Sequence, residues 1–393
     1  MTVANNPRIY FWANLLGSVS FIVPVSSLFF LHRGLVYSDF FVILISIVVS
    51  MFIFEVPTGA FADKYGHKMS FITGELIRVL VTVLWIFAFN RLTFYLAAIL
   101  TGLSITFYSG ADQTFIYESL KELKQEKKMS RVWAKTVSGG HIAAVLTIIV
   151  GAIIAKDLLE WQFIALLAAG LFFQTLKIIL LTRLTQPKHL QKIHLKSPFY
   201  HIKQGLSVLK KKPFLLSILM NETLVLIPLH VFNLFDQVLF INVGLAIATF
   251  GVVYAINSLL SFFVQQNLNW IENKIPRKII VIGTGIATLI AFLVASMTKS
   301  ILLALGLFFV LKLCNQIRYP VTSQIKNEHI PSGSRATTLS LLSMIDSFFD
   351  VIVFTSLGFI SNMGLSYVFL GSAAVVFIGL LFPVRLKKNF NSV

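Results

Sequence analysis

A single cysteine, Cys314, in 393 residues excludes an intrachain disulfide and a C-x-x-C redox pair. Acids are scarce as well: 16 Asp and Glu stand against 33 Lys and Arg, and charged residues of both signs make up only 12% of the chain. That is about half the share found in soluble domains. A phosphate-binding loop is missing, because in Gly66-His67-Lys68-Met69-Ser70 the Met separates Lys from Ser and the upstream glycine spacing is absent. With no metalloprotease helix signature and no nucleophile elbow either, no enzyme, no cofactor and no metal site is expected. A cleavable leader is not evident, since the N-terminus is short and polar and the first apolar block is long enough to span a bilayer.

What the chain has in abundance is apolar length. Hydrophobic residues make up 56%, 37 residues are Phe, and the mean hydropathy is +0.83. A hydrocarbon layer about 30 Å thick needs roughly 20 apolar residues per helix. Blocks of that length recur at 8–31, 38–62, 68–90, 92–117, 132–155, 160–182, 214–236, 243–266, 276–298, 300–321, 335–359 and 363–384. Long continuous runs predict helices, since barrel strands would be short and alternating. The expectation is an all-α membrane protein with twelve transmembrane helices. Phe is expected mainly as lipid-facing bulk.

The net charge of +17 invites a nucleic-acid reading, but its distribution points elsewhere. With the N-terminus cytoplasmic, most Lys and Arg fall on cytoplasmic loops, and the outer loops keep only Arg33, Arg91, Lys156 and Lys299. This is the positive-inside bias of an inner membrane protein with both termini cytoplasmic. The basic run from Arg183 to Lys212 then links two halves: a six-helix bundle over 1–183, a cytoplasmic linker over 184–213, and a second bundle over 214–393. Part of the linker can lie on anionic lipid. Membrane lipid is therefore expected as a partner and nucleic acid is not. Shifting the chain by 210 residues lays Phe52, Lys64, Lys68 and Glu118 on Phe262, Lys274, Lys278 and Glu328, which supports an internal duplication. Short outer loops fit a bacterial inner membrane.

Between predicted helices two and three stands FEVPTGAFADKYGHK, Phe54 to Lys68. Gly59 would let another backbone approach, Gly66 permits a sharp reversal, and Lys64 and Lys68 hold the loop on the cytoplasmic side. Asp63 can sit against the positive end of a helix. A plain positive-inside turn is the alternative. Gly59, Asp63, Lys64, Gly66, His67 and Lys68 resemble the G-x-x-x-D-[RK]-x-G-[RK]-[RK] signature of the major facilitator superfamily, with His67 at a position usually Arg or Lys. EVPTG before it, SGADQTFIYESL (Ser109 to Leu120) and RATTLSL (Arg335 to Leu341) resemble one bacterial branch of that superfamily. The resemblance implies two pseudo-symmetric six-helix bundles and a gate in which Asp63 meets the start of helix eleven at Ser334, Arg335 and Ala336. Two departures from its drug antiporters matter. Leu100 to Tyr108 carries no charge, and Ser138-Gly139-Gly140-His141 with Gly151 lacks the antiporter proline.

Ionisable residues in the spans are the remaining signal, since each costs about 2.5–3.5 kcal/mol on insertion scales and usually faces a partner or a cavity. Glu55, Glu75, Arg78, Asp112 and Glu118 lie toward the cytoplasmic side, as ion-pair or gating residues. Lys177 is expected to snorkel, and His141 and His230 to be interior and hydrogen-bonded. A deeper set comprises Glu222 in helix seven, Lys312 and Arg318 in helix ten, and Asp346 and Asp350 one turn apart in helix eleven. These five are the candidate proton or substrate site, with an ion-pair network between helices ten and eleven as the alternative. Polar residues such as Tyr254, Asn257, Asn315 and Gln316 are candidate cavity lining.

The expected function is alternating-access, proton-coupled secondary transport of a small organic molecule by a monomer, with no indication of ATP and with export of drug-like or metabolite substrates favoured. An importer of an organic anion, such as a siderophore or carboxylate held by Lys312 and Arg318, is the alternative. A non-transporting receptor or scaffold is the reading from another class. Cysteines placed singly at Ser197 and Asn391, in a Cys314→Ser background, are expected to resist an impermeant thiol reagent in intact cells. Labelling of both without permeabilisation would invert the topology.

Overall fold

The computed structural model of the chain describes residues 2–187, 213–330 and 335–384, the side chains at 335–337 and 340 excepted. Among the described residues every regular element is helical. The helices are α1 (Asn6–Gly17), α2 (Ser26–His32), α3 (Tyr37–Tyr65), α4 (His67–Phe87), α5 (Arg91–Thr106), α6 (Ala111–Glu122), α7 (Met129–Ile154) and α8 (Glu160–Thr182), then α9 (Pro213–Asn242), α10 (Phe250–Gln266), α11 (Leu268–Lys274), α12 (Arg277–Ala295), α13 (Ile301–His329), α14 (Arg335–Ser361) and α15 (Leu365–Leu380). Each of the twelve predicted spans coincides with helix. Ten stretches are long and apolar enough to cross a membrane, and the first and last crossings hold shorter apolar helices at Val23–His32 and Leu365–Leu380. Three crossings are interrupted: α1 gives way to a single turn at Val23–Val25 before α2, α5 and α6 part at Phe107–Gly110, and α10 and α11 part at Asn267.

Local chemistry sets these boundaries. Asn90 caps α5 by accepting from the Thr93 N–H at 2.9 Å, and Ser300 caps α13 from the Leu303 N–H at 3.5 Å. These two caps are 210 residues apart, the offset of the sequence repeat. The same offset relates the starts of α4 at His67 and α12 at Arg277. It also carries Gly110, which opens α6 with φ +67°, onto Pro320 inside the unbroken α13. A left-handed glycine ends one helix, whereas a proline in a membrane helix leaves the other continuous because surrounding groups re-satisfy the backbone.

Two compact units emerge. The first comprises Met1–His194 with Ala246–Ala255, and the second Leu195–Leu245 with Ile256–Val393. In the first, α3, α4 and α5 approach closely over small residues. Ser50 donates to the Ile99 carbonyl at 2.6 Å and Ser104 to the Gly74 carbonyl at 2.8 Å, and a Cβ on Gly102 would lie 2.5 Å from the Ile47 carbonyl oxygen. Small residues and interhelical hydrogen bonds are how helices associate where no water drives them together. In the second unit α9 is the central helix: 78% of its apolar window is buried, against 22% for α3. Its Phe232 ring meets Phe292, Phe308 and Phe369 at centroid distances of 6.0–6.3 Å, joining α9 to α12, α13 and α15. The expectation that Phe serves mainly as lipid-facing bulk is thereby corrected. Phe29, Phe40, Phe94, Phe163, Phe232 and Phe308 are buried, because ring pairs pack interhelical space that lipid would otherwise fill.

Gly102→Val is expected to force α3 from α5 and lower stability by about 1–3 kcal/mol, read as a lower melting temperature and folded yield in detergent. Gly170→Ala is the control. Nothing lies within 4 Å of a Cβ there, so no loss is expected.

Candidate functional site

The turn between α3 and α4 is one residue long. Gly66 sits at φ +88° and donates its N–H to the Ala62 carbonyl at 2.8 Å. The Gln186 side chain packs on this glycine and accepts from the Lys68 N–H at 3.1 Å, capping α4. Sequence reasoning missed Gln186, since nothing in its flanking residues marks a capping role. Asp63 and Lys64 are exposed, Lys64 lying 4.9 Å over the Tyr65 ring, and His67 is half-buried. The close backbone approach expected at Gly59 is not found, for nothing stands within 4 Å of its Cβ position. Ser334 and the side chains of Arg335 and Ala336 lie outside the described residues.

The first-unit residues expected to pair or gate divide into local partners. Glu55 accepts from Ser109 at 2.7 Å, Asp112 from the Gln113 N–H at 2.7 Å, and Glu118 stands 3.9 Å from Lys121. Glu75 is fully buried on α4. It pairs with Lys177 of α8 at 2.5 Å and accepts from the Tyr108 hydroxyl at 2.8 Å. Lys177 therefore does not snorkel. A buried carboxylate within reach holds the ammonium inside more strongly than the interface draws it out. Arg78 follows Glu75 by one turn. His141 is exposed rather than interior, on the open face of α7.

In the second unit Lys312 stands apart from the other four deep residues. Lys312 of α13 turns to α9, where it donates to Asp236 at 2.8 Å and to Asn233 at 2.5 Å and lies over the Phe232 and Phe308 rings. Arg318 is fully buried and donates to the carbonyls of Val281 (2.5 Å) and Asn221 (2.9 Å), to the Asn221 side chain, and to Thr284 at 3.2 Å. Glu222 pairs with Lys326 at 2.5 Å. The next residue on α9, Thr223, donates to Asp346 of α14. The expected network between helices ten and eleven through Lys312 is thus replaced by contacts that reach α9, the helix at the centre of the unit, with Arg318 bonded to α12 as well. The condition under which Lys312 and Arg318 would hold an anion also fails, as both have partners.

Asp350 differs from its neighbours. It is half-buried one turn beyond Asp346, and no hydrogen bond or ion pair reaches it among the described residues. Asp236, Asn233 and Lys326 were overlooked as partners. Asp236 carried a usable signal, being an acid inside an apolar block just as Glu222 is.

Between α9, α10, α11 and α13 lies a cavity of about 420 Å³ lined by His230, Gln265, Leu268, Asn315, Gln316, Tyr319 and Pro320. Among the described residues its lining includes no Lys, Arg, Asp or Glu. His230, expected in the interior, stands on this wall instead. Asn315 and Gln316 are the two lining residues read from the sequence.

Comparison with known proteins agrees with this architecture. The Major Facilitator Superfamily model matches residues 13–353. The uncharacterized MFS-type transporter YxaM of Bacillus subtilis (strain 168) is 21% identical over 349 residues, covering 86% of this chain and 84% of its own. Among solved structures, the nucleoside transporter NupG superposes with a TM-score of 0.75 at 13% identity, over 97% of this chain and 98% of the other. A D-xylose-proton symporter gives 0.72 at 13% identity, over 97% of each.

Asp236→Asn is expected to strand the Lys312 ammonium, at a cost of about 3–5 kcal/mol in a soluble interior and less in a helix bundle that can rearrange. A thermal-denaturation double-mutant cycle with Lys312→Met should give a coupling of about 1 kcal/mol or more. The same cycle between Asp346 and Lys312 should give none.

Proposed function

The chain belongs to the major facilitator superfamily, and on that premise we propose that it is a proton-coupled secondary transporter moving a small organic solute by alternating access through the cavity of its second unit. It works as a monomer surrounded by lipid in the bacterial inner membrane, with both termini cytoplasmic. The carrying observation is Asp350, a carboxylate inside a membrane-spanning helix with no cation among the described residues to hold it ionised. Such a group is stable in the bilayer when protonated and costly when charged, which is the property a coupling site requires. Asp346 and Glu222 are the neighbouring carboxylates through which its proton can be exchanged. That a D-xylose-proton symporter shares the fold supports a proton as the driving ion.

The cavity supports solute binding. Its volume falls within the range of small-molecule sites, and its polar groups are few and mixed with apolar wall from Leu268 and Pro320. An organic anion is not favoured, because neither Lys312 nor Arg318 is free to receive it. A receptor or scaffold would bind without flux, which proteoliposomes distinguish.

The test uses a solute that stabilises the purified protein in a thermal-shift screen, since a ligand of the folded state raises its stability by mass action. Asp350→Asn, at normal folded yield, is expected to abolish accumulation driven by a pH gradient while sparing exchange of labelled for unlabelled solute. Undiminished gradient-driven accumulation would remove Asp350 from the coupling path.

A further inference from the structure

We infer that the cavity between α9, α10, α11 and α13 takes an uncharged solute whose planar ring carries an amide-like edge, an N–H donor beside a carbonyl acceptor, as a uracil or hypoxanthine base does. The inference rests on the transport reading above and adds the class of the solute.

Three carboxamides crowd one wall. Gln265 donates to Gln316 at 3.1 Å across the gap between α10 and α13. Whichever way the two amide groups are turned, one bond between them uses one donor and one acceptor. The pair therefore keeps unused N–H and carbonyl capacity, the two kinds of group with which an amide edge pairs. Asn315, next to Gln316, has no side-chain hydrogen-bond partner among the described residues, and neither do the His230 ring and the Tyr319 hydroxyl. Gln316 and Tyr319 are three apart and Asn315 and Tyr319 four apart, so the amides and the phenol share one face of α13. Polar groups left unpaired on a cavity wall favour a ligand that satisfies them over one that does not.

Charge and shape narrow the class further. The cations nearest along α13 are held elsewhere: Lys312, one turn from Asn315 and Gln316, by Asp236 and Asn233, and Arg318 by Asn221, Val281 and Thr284. A phosphate or carboxylate entering the cavity would find no counter-charge and would lose its hydration. His230 and Tyr319 contribute aromatic rings, and Leu268 and Pro320 an apolar wall, which suit a flat ring better than a polyol whose hydroxyls project in every direction.

Purified full-length protein in nanodiscs is titrated with uridine, inosine, 3-methyluridine, uridine 5′-monophosphate and D-xylose, following melting temperature and heat. Uridine or inosine is expected to bind. 3-Methyluridine, which lacks the N–H of the edge, and the charged monophosphate are each expected to bind uridine's site at least about tenfold more weakly, and D-xylose not to compete. Gln265→Ala and Gln316→Ala should each weaken the nucleoside about tenfold or more while the ligand-free melting temperature stays within a few degrees; Asn315→Ala serves as a second probe of the wall if either misfolds. Binding of neither nucleoside, equal binding of the 3-methyl compound, or tighter binding of D-xylose or the monophosphate overturns the solute class. Flux in proteoliposomes separates the two claims. Nucleoside binding without flux overturns transport and leaves the class standing, whereas flux of D-xylose or an anion unaffected by nucleosides does the reverse.

Discussion

An ionised group in hydrocarbon must find a counter-charge or a set of hydrogen bonds, and in this protein that constraint decides which helices touch. Glu75 and Lys177 bind α4 to α8. Asp236 and Lys312 bind α9 to α13, and so do Glu222 and Lys326. At the outer end of the first unit the buried Arg33 pairs with Glu160 at 2.6 Å and donates to the Ala88 carbonyl at 2.8 Å, tying the ends of α2, α4 and α8. Among the described residues Lys177, Lys312 and Lys326 are thereby each held by a buried carboxylate. Asp350 and the uncharged cavity wall lie outside these pairs.

The duplicated architecture uses one framework for two purposes. At the 210-residue offset Tyr108 corresponds to Arg318 and Glu75 to Gly285. In the first unit the Tyr108 hydroxyl bonds the Glu75 carboxylate. In the second, a Cβ on Gly285 would lie 3.3 Å from Arg318 Nη1. With glycine at that position the guanidinium has room, and it is served by carbonyls and the Asn221 amide. The same offset opposes the broken α5–α6 crossing to the continuous α13. Continuity past Pro320 keeps Asn315, Gln316 and Tyr319 in helical register on one wall.

Much of the fold was legible because apolar length and charge placement are properties of local sequence. The twelve blocks, the reversal at Gly66 and the repeat offset all follow from residues near one another in the chain. The site was less legible. The ion-pair alternative set Lys312 against helix eleven because partner geometry is not written in the sequence, whereas its partner, Asp236, lies 76 positions away on α9. Lys177 was read as snorkelling because Glu75, 102 positions away, gave no sign that it would be in reach. His230 and His141 were assigned to the interior because the face of a uniformly apolar helix has no periodicity to read.

Sequence alone determined that this chain crosses a membrane as helices, since a run of twenty apolar residues has no other stable place and its backbone must satisfy itself within each segment. It also determined the identity of the turn at Gly66, where only glycine takes a positive φ without strain. Tertiary structure decided which charges neutralise each other and which polar groups are left over to meet a solute. A side chain's partner depends on the rotation of each helix about its own axis, and that rotation is set by packing against α9 and its counterparts rather than by any residue's neighbours in the chain.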